Sequence, residues 1–344
     1  MTHESGQPSR RAVLLGVAGC VVGAAGCGSG TSHTAPSPSG ASPSGPSPSG
    51  TAPAGPPTSA PPTTQAAALP RTTLWRPTTA EIAPAAKLRA VELVEAIGAW
   101  PQGAGGAAAA RTRVAALKVP AGLVAEAGPL LPDADAAAVQ VVDAQYGGIL
   151  TDSASVLVVC RQWTRRGGTV SAGGTTVDVR LTRATSGWTV TALHPARPGA
   201  AVSPLPSRVR AILADSRIQL PPAARADLRS GRIHDSVLSA MRQLAGTYRM
   251  YVSVIRSGHP LDVFGTSRPS DHPRGRAFDV WQIDGHAVVD PATPRSLIER
   301  FMRDAAAAGS YNVGGPVHLS GGSRPDQFFS DNTHHDHVHI GFDH

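Results

Sequence analysis

The stretch Ser270-Asp271-His272-Pro273-Arg274-Gly275-Arg276-Ala277-Phe278-Asp279 sets a His and a carboxylate on one short segment, with six residues between them, Gly275 included. Its partner, Asp336-His337-Val338-His339, sets two His beside a second carboxylate near the end of the chain. Alternate residues of a strand share a face. If the chain is extended from Ala277, then Ala277, Asp279 and Trp281 face one way while Phe278 and Val280 face the other. If His337 to Phe342 is the last strand, His337, His339 and Gly341 point one way and Val338, Ile340 and Phe342 enter a core. Asp279 and His339 are then each the polar residue of a strand whose other face is buried. His272 precedes its strand, and Gly275 lets the connecting turn approach closely. Two strands and a loop thus offer two imidazoles and one carboxylate, with one side open. That donor set is the one a catalytic Zn2+ takes, whereas a closed structural site adds a fourth side chain, often Cys, and none is near.

Working outward, Pro195 to Pro206 is rich in Pro and Gly and marks a domain boundary. Asp235 is placed to cap a helix whose apolar residues Val237, Leu238, Met241, Leu244 and Ala245 share a face, with Gly246 as its end. Met250 to Arg256 reads as a strand. Thr293-Pro294 starts a helix that buries Leu297, Ile298, Phe301, Met302 and Ala305, and Gly309 stops it. Before the boundary, Leu88, Val91, Val94 and Ile97 recur at helical spacing, with Lys87, Arg89, Glu92 and Glu95 between them. A second helical stretch covers Ala107 to Leu117. Strand patterns follow at Ala138–Val142, Ser155–Trp163, Thr175–Thr182 and Gly187–Leu193, separated by Gly-containing turns. The fold class is therefore α+β. It comprises two domains, 68–198 and 206–344, each an antiparallel sheet with helices packed on it. No constellation in the first has catalytic spacing, and it reads as a spacer or binding module.

The N-terminus reads as a targeting segment. Ser9-Arg10-Arg11 precedes an apolar run from Ala12 to Gly26, which is short for a membrane span and ends in Ala24-Ala25-Gly26-Cys27. This is similar to a bacterial lipoprotein signal peptide (1–27), with Cys27 lipidated, and the Arg pair resembles a twin-arginine export signal. Residues 28–66 are Ser, Pro, Gly, Thr and Ala with almost no large apolar side chain, the composition of a disordered tether. With Cys20 in the signal and Cys27 lipidated, Cys160 is left alone of the three Cys, so no disulfide forms within the mature chain. Cys160 sits in an apolar strand-like run and reads as a buried small hydrophobe. The formal charge of +7 favours anionic surroundings, such as a membrane surface or cell wall. The Lys and Arg are scattered and form no nucleic-acid-binding motif, so no nucleic-acid partner is expected.

The pattern Ser270-x-His272-x-x-Gly275-x-Ala277-x-Asp279 resembles, at every fixed position, that of the D-alanyl-D-alanine carboxypeptidase family of zinc peptidases. These belong to a wider group that shares the metal fold of lysostaphin and the hedgehog signalling domain. The resemblance covers roughly Pro206 to His344. It implies Zn2+ held by His272, Asp279 and His339. It implies a general base at Asp336, or at His337 as in HxH members of the wider group. It also implies substrate contacts from Arg256 and Ser270. The implied function is hydrolysis of peptide bonds in peptidoglycan stem peptides, by an exported, lipid-anchored carboxypeptidase or endopeptidase at the outer face of the membrane. The alternative is a non-catalytic, zinc-containing cell-wall-binding lipoprotein of the same fold. This chain departs from the family in having His259-Pro260 after Ser257-Gly258, where an aromatic and an Arg are usual, and Asp rather than Glu at position 336. The layout of 68–198, helices followed by an antiparallel meander, resembles the nuclear transport factor 2-like fold found as an accessory domain in actinobacterial exported proteins. Such a domain implies a possible cell-wall protein partner.

Overall fold

The structure, a computed structural model, describes residues 67–344; the signal, the Cys27 anchor and the tether read from the sequence lie outside them. Among the described residues no helix is long and apolar enough to cross a membrane. The described residues, 67–344, belong to one compact unit. It is α+β and carries two hydrophobic cores, one drawn from residues 86–193 and one from residues 209–342. We call these the N-lobe and the C-lobe.

The N-lobe opens with helices α1 (Pro84–Gly98) and α2 (Gly106–Ala116). Pro84 at the first turn fixes a helical φ where no amide partner is needed. Its sheet has strands β1 (Ala136–Ile149), β2 (Ser153–Arg166), β3 (Thr169–Gly173), β4 (Thr176–Ala184) and β5 (Gly187–Pro195), in the order β1-β2-β4-β5 and all antiparallel. β2 is long enough to pair β4 along its first half and β3 along its second. The first two strands run longer than the apolar patterns suggest, and β3 was not expected at all, because only one of its residues is even half-buried. Ala154 to Cys160 in β2 are buried on both faces. Val156, Val158 and Cys160 enter the N-lobe core, while Leu157 and Val159 meet Val254 of the C-lobe in a small third cluster. Cys160 is buried as expected, and burial pushes its thiol up to about 11, which leaves it unreactive near neutral pH.

One expectation for α1 fails. Lys87 belongs to the solvent face if Leu88 leads the apolar stripe. Instead Leu88 is half-buried, and Lys87 is fully buried with Ala90, Val91, Val94 and Ile97. The inner stripe starts one residue earlier than hydrophobicity alone suggests.

The C-lobe contains α3 (Ser207–Ala214), β6 (Ile218–Gln219), α4 (Pro222–Arg229), α5 (Asp235–Ala245), β7 (Met250–Val254), β8 (Ala277–Ile283), β9 (His286–Ala287), α6 (Arg295–Ala307), β10 (Asn312–Gly314), β11 (Phe328–Phe329) and β12 (Val338–Gly341). Its sheet runs β11-β10-β12-β8-β7-β6, with β9 on β8. The centre is antiparallel, but β6–β7 and β10–β11 pair in parallel, so the sheet is mixed at its edges. Phe278, Val280, Val338 and Ile340 bury one face in the same core as α5 and α6. Asp235 does not cap α5. It is the first helical residue and makes no capping bond, and its carboxylate pairs instead with Arg208 at 3.0 Å. The last strand begins at Val338, so His337 stands just ahead of it.

Candidate metal centre

Strand register brings the two motifs together. β8 and β12 pair so that Asp279 lies directly opposite His339, both on the face away from the C-lobe core. Gly275 carries the turn that returns the chain from His272 to β8. Its φ is 73°, and a Cβ there would stand 2.0 Å from the Arg232 carbonyl oxygen, so only glycine fits.

Three donor atoms converge. His272 Nε2 is 3.1 Å from Asp279 Oδ1 and 3.1 Å from His339 Nδ1, and His339 Nδ1 is 3.0 Å from Asp279 Oδ1. Atoms bound at about 2.0–2.1 Å to one ion, in tetrahedral or octahedral arrangement, stand roughly 3 Å apart. The tautomers agree. His272 Nδ1 is 2.8 Å from the Ile255 carbonyl oxygen, which only accepts, so Nδ1 bears a hydrogen and Nε2 is the nitrogen turned toward Asp279. Two imidazole nitrogens and a carboxylate oxygen at this spacing are a donor set that one cation could share. His272 and Asp279 are fully buried, and His339 is 8% exposed. Burial pushes His339 down to about 4, so its ring is neutral at pH 7. Burial works against ionisation of Asp279, but the neighbouring His272 and His337 hold its carboxyl well below the usual range.

His259 is a residue the sequence pattern left out. With His272 and Asp279 it forms a group whose donor atoms lie within 4.8 Å of one another, and this group could hold a metal ion. Its ring stacks on that of His272 at 4.0 Å between centroids. Its Nδ1 donates to the Pro260 carbonyl at 3.0 Å, and burial with His272 nearby keeps it neutral, which leaves Nε2 free to donate a lone pair. The His259-Pro260 departure from the family pattern was the available sign.

The four-residue partner stretch divides by role. His337 lines a cavity of about 560 Å³ together with His272, His339, His259 and Ser270. Its Nδ1–H donates to Asp336 Oδ1 at 2.5 Å, which leaves Nε2 as the nitrogen that gives up or takes a proton, 3.8 Å from Asp279 Oδ2. Burial disfavours its cation, but Asp279 and Asp336 more than offset this and raise it to about 9. Asp336 does not line that cavity. Its Oδ2 receives Lys87 Nζ at 2.5 Å and the Tyr146 amide at 3.1 Å, both from the N-lobe. Against burial, Lys87 and His337 hold its carboxyl below the ordinary value.

The two expected substrate contacts separate. Ser270 is at the cavity, 3.4 Å from His259 Nδ1, and its Oγ accepts the His272 amide. Arg256 is elsewhere. Its guanidinium is spent on Asp227 and on the carbonyls of Arg197 and Pro198, beside a neighbouring cavity of about 930 Å³ that also touches His259. Among nearby polar residues, His334 donates to Asp331 at 2.7 Å and lines the smaller cavity, and His335 reaches the Ala80 carbonyl of the N-lobe at 2.9 Å. Asp271 accepts a bond from Tyr311 at 2.7 Å. Comparison with protein-family models, curated proteins and solved structures finds no match to this chain.

Proposed function

We propose that this chain is an exported zinc peptidase acting on peptidoglycan stem peptides, with His272, Asp279 and His339 as the metal ligands. The observation that carries this reading is the buried 3.0–3.1 Å triangle of two imidazole nitrogens and a carboxylate oxygen, opening on a cavity beside a His–Asp pair. Two nitrogens and one carboxylate oxygen with an open side fit a catalytic zinc better than a structural one. The substrate class comes from the Ser270–Asp279 pattern and from the signal and Cys27 read at the N-terminus.

Bound there, Zn2+ would lower the pKa of a coordinated water toward about 7 and polarise the scissile carbonyl. The rest is the work of the chain. Asp336 fixes the His337 tautomer, so that Nε2 faces the cavity as the base. That nitrogen takes a proton from the attacking water as the carbon–oxygen bond forms. It returns the proton to the amide nitrogen as the carbon–nitrogen bond breaks. A cation sharing the Asp279 charge would weaken the pull that raises His337. His259, stacked on His272, screens that ligand from water.

Metal analysis of the purified chain, followed by mass spectrometry of muropeptides incubated with it, tests the reading. About one zinc per chain and new free amino groups are expected, both lost in His272→Ala. Absence of bound metal at neutral pH would overturn the site. Metal without hydrolysis, alongside retained cell-wall binding, would leave the non-catalytic alternative.

A further inference from the structure

We infer that the N-lobe is the outer layer of the metal centre, with Gln145 positioning Asp279, and Lys87 positioning Asp336 and through it His337. The inference rests on the ligand reading above and assigns roles to residues of a lobe that sequence patterns read as a spacer.

Asp279 has two oxygens with different duties. Oδ1 faces His272 and His339, and Oδ2 accepts the side-chain amide of Gln145 at 2.6 Å. Gln145 is fully buried, and its own oxygen accepts Ser253 Oγ–H from β7, so the amide cannot rotate. This bond occupies Oδ2 and leaves Oδ1 for the ligand set, the way outer partners fix metal-binding carboxylates. β1 has irregular register between Val141 and Asp143 and again between Tyr146 and Gly148. Gln145 and Tyr146 lie between these bulges, which re-aim side chains where strands meet sites.

Lys87 makes the second link. Burying an ammonium costs several kcal/mol unless it is well paired. The partners of Lys87 are Glu81 in its own lobe and Asp336 in the other, and it stands over the Tyr146 ring at 5.0 Å. The Tyr146 amide shares Asp336 Oδ2 with it, so Oδ1 is left to receive His337. A spacer has no need to send a buried Lys and a buried Gln onto two carboxylates of the neighbouring lobe.

The test compares the full chain with Gln145→Leu, Lys87→Met and Lys87→Arg, each checked for folding by near-ultraviolet circular dichroism. For Gln145→Leu, chelator competition with zinc is expected to show about 10–100-fold weaker binding, and the visible spectrum of the Co2+-loaded protein is expected to shift. Binding within twofold of the parent, with an unaltered Co2+ spectrum, would overturn the role of Gln145. If Gln145→Leu does not fold, Ser253→Ala, which frees the amide, is read by the same criteria. For Lys87→Met, the downfield proton resonance of His337 Nδ1–H is expected to move or vanish, and Lys87→Arg to restore it in part. Zinc affinity should stay within about threefold, because the ligands are untouched. An unchanged resonance would overturn the role of Lys87. A parent that holds no zinc ends the metal reading and the Gln145 role together, while the His337 resonance still reports on Lys87.

Discussion

The two halves of the candidate centre are held in different ways. His272 and Asp279 lie on one segment, tied by a glycine turn and by strand register within the C-lobe. Asp336 and His337 are held from outside, by Lys87 and Tyr146 in the other lobe. The ligand half is therefore placed by the C-lobe's own packing and trimmed by a single N-lobe amide, Gln145, whereas the base half is held mainly from the other lobe. Metal binding and catalysis should separate under mutation.

The widest split is expected between Asp279→Ala and His337→Ala. The first should abolish tight zinc binding, by more than about 100-fold, since it deletes a ligand and leaves two buried imidazoles unbridged. The second should keep zinc within a few-fold and lose hydrolysis. Chelator competition and muropeptide turnover measure both, and equal zinc loss in the two variants would erase the division.

Next, Leu157→Ala opens a void where the two lobes meet, at a fully buried side chain packed against Val254. It should cost about 2–4 kcal/mol in urea unfolding. Hydrolysis should fall further than zinc affinity, because docking supports the base half. Gly275→Ala should cost about 1–3 kcal/mol through strain at positive φ and collision with the Arg232 carbonyl, and it should weaken zinc as well, because that turn carries the ligand half.

The smallest effect is the pH response of Asp143. Burial, helped by Asp336 and Glu81 and opposed by Lys87, pushes its carboxyl up to about 7, and its Oδ2 is buried without a partner. A raised folded value means that the folded state holds the proton longer than the unfolded chain does. Stability is then lost as pH rises from about 4 to about 7. Asp143→Asn should match the metal-free parent near pH 4 and exceed it at pH 8. Urea midpoints at the two values check this, and parallel curves would show that the site does not titrate there.

Much of this was legible in the sequence, and for local reasons. The alternation around Phe278 and Ile340 gave the faces of β8 and β12, while the register that sets Asp279 opposite His339 came with the tertiary structure. Helix α6 and the glycine stops followed from periodicity and turn chemistry. Lys87 was read only as lying between the apolar positions, because a lone Lys is ordinarily exposed, although its spacing to Val91 and Val94 already fitted the inner stripe. The unbroken apolar run Val156 to Cys160 was the sign that β2 is covered on both faces. Nothing local marks Gln145, because a polar residue on a strand is ordinary until another lobe covers it.

What the sequence determined by itself is the α+β class and the faces on which Asp279 and His339 stand, since these depend on strand alternation along single segments. What only the tertiary structure decided is that His259 joins His272 and Asp279, that Arg256 is engaged away from the small cavity, and that Asp336 turns toward the N-lobe. These depend on which distant carboxylates and cations share a buried volume. Charge pairing at that range is settled by desolvation across the lobe interface, and no spacing within one segment encodes it.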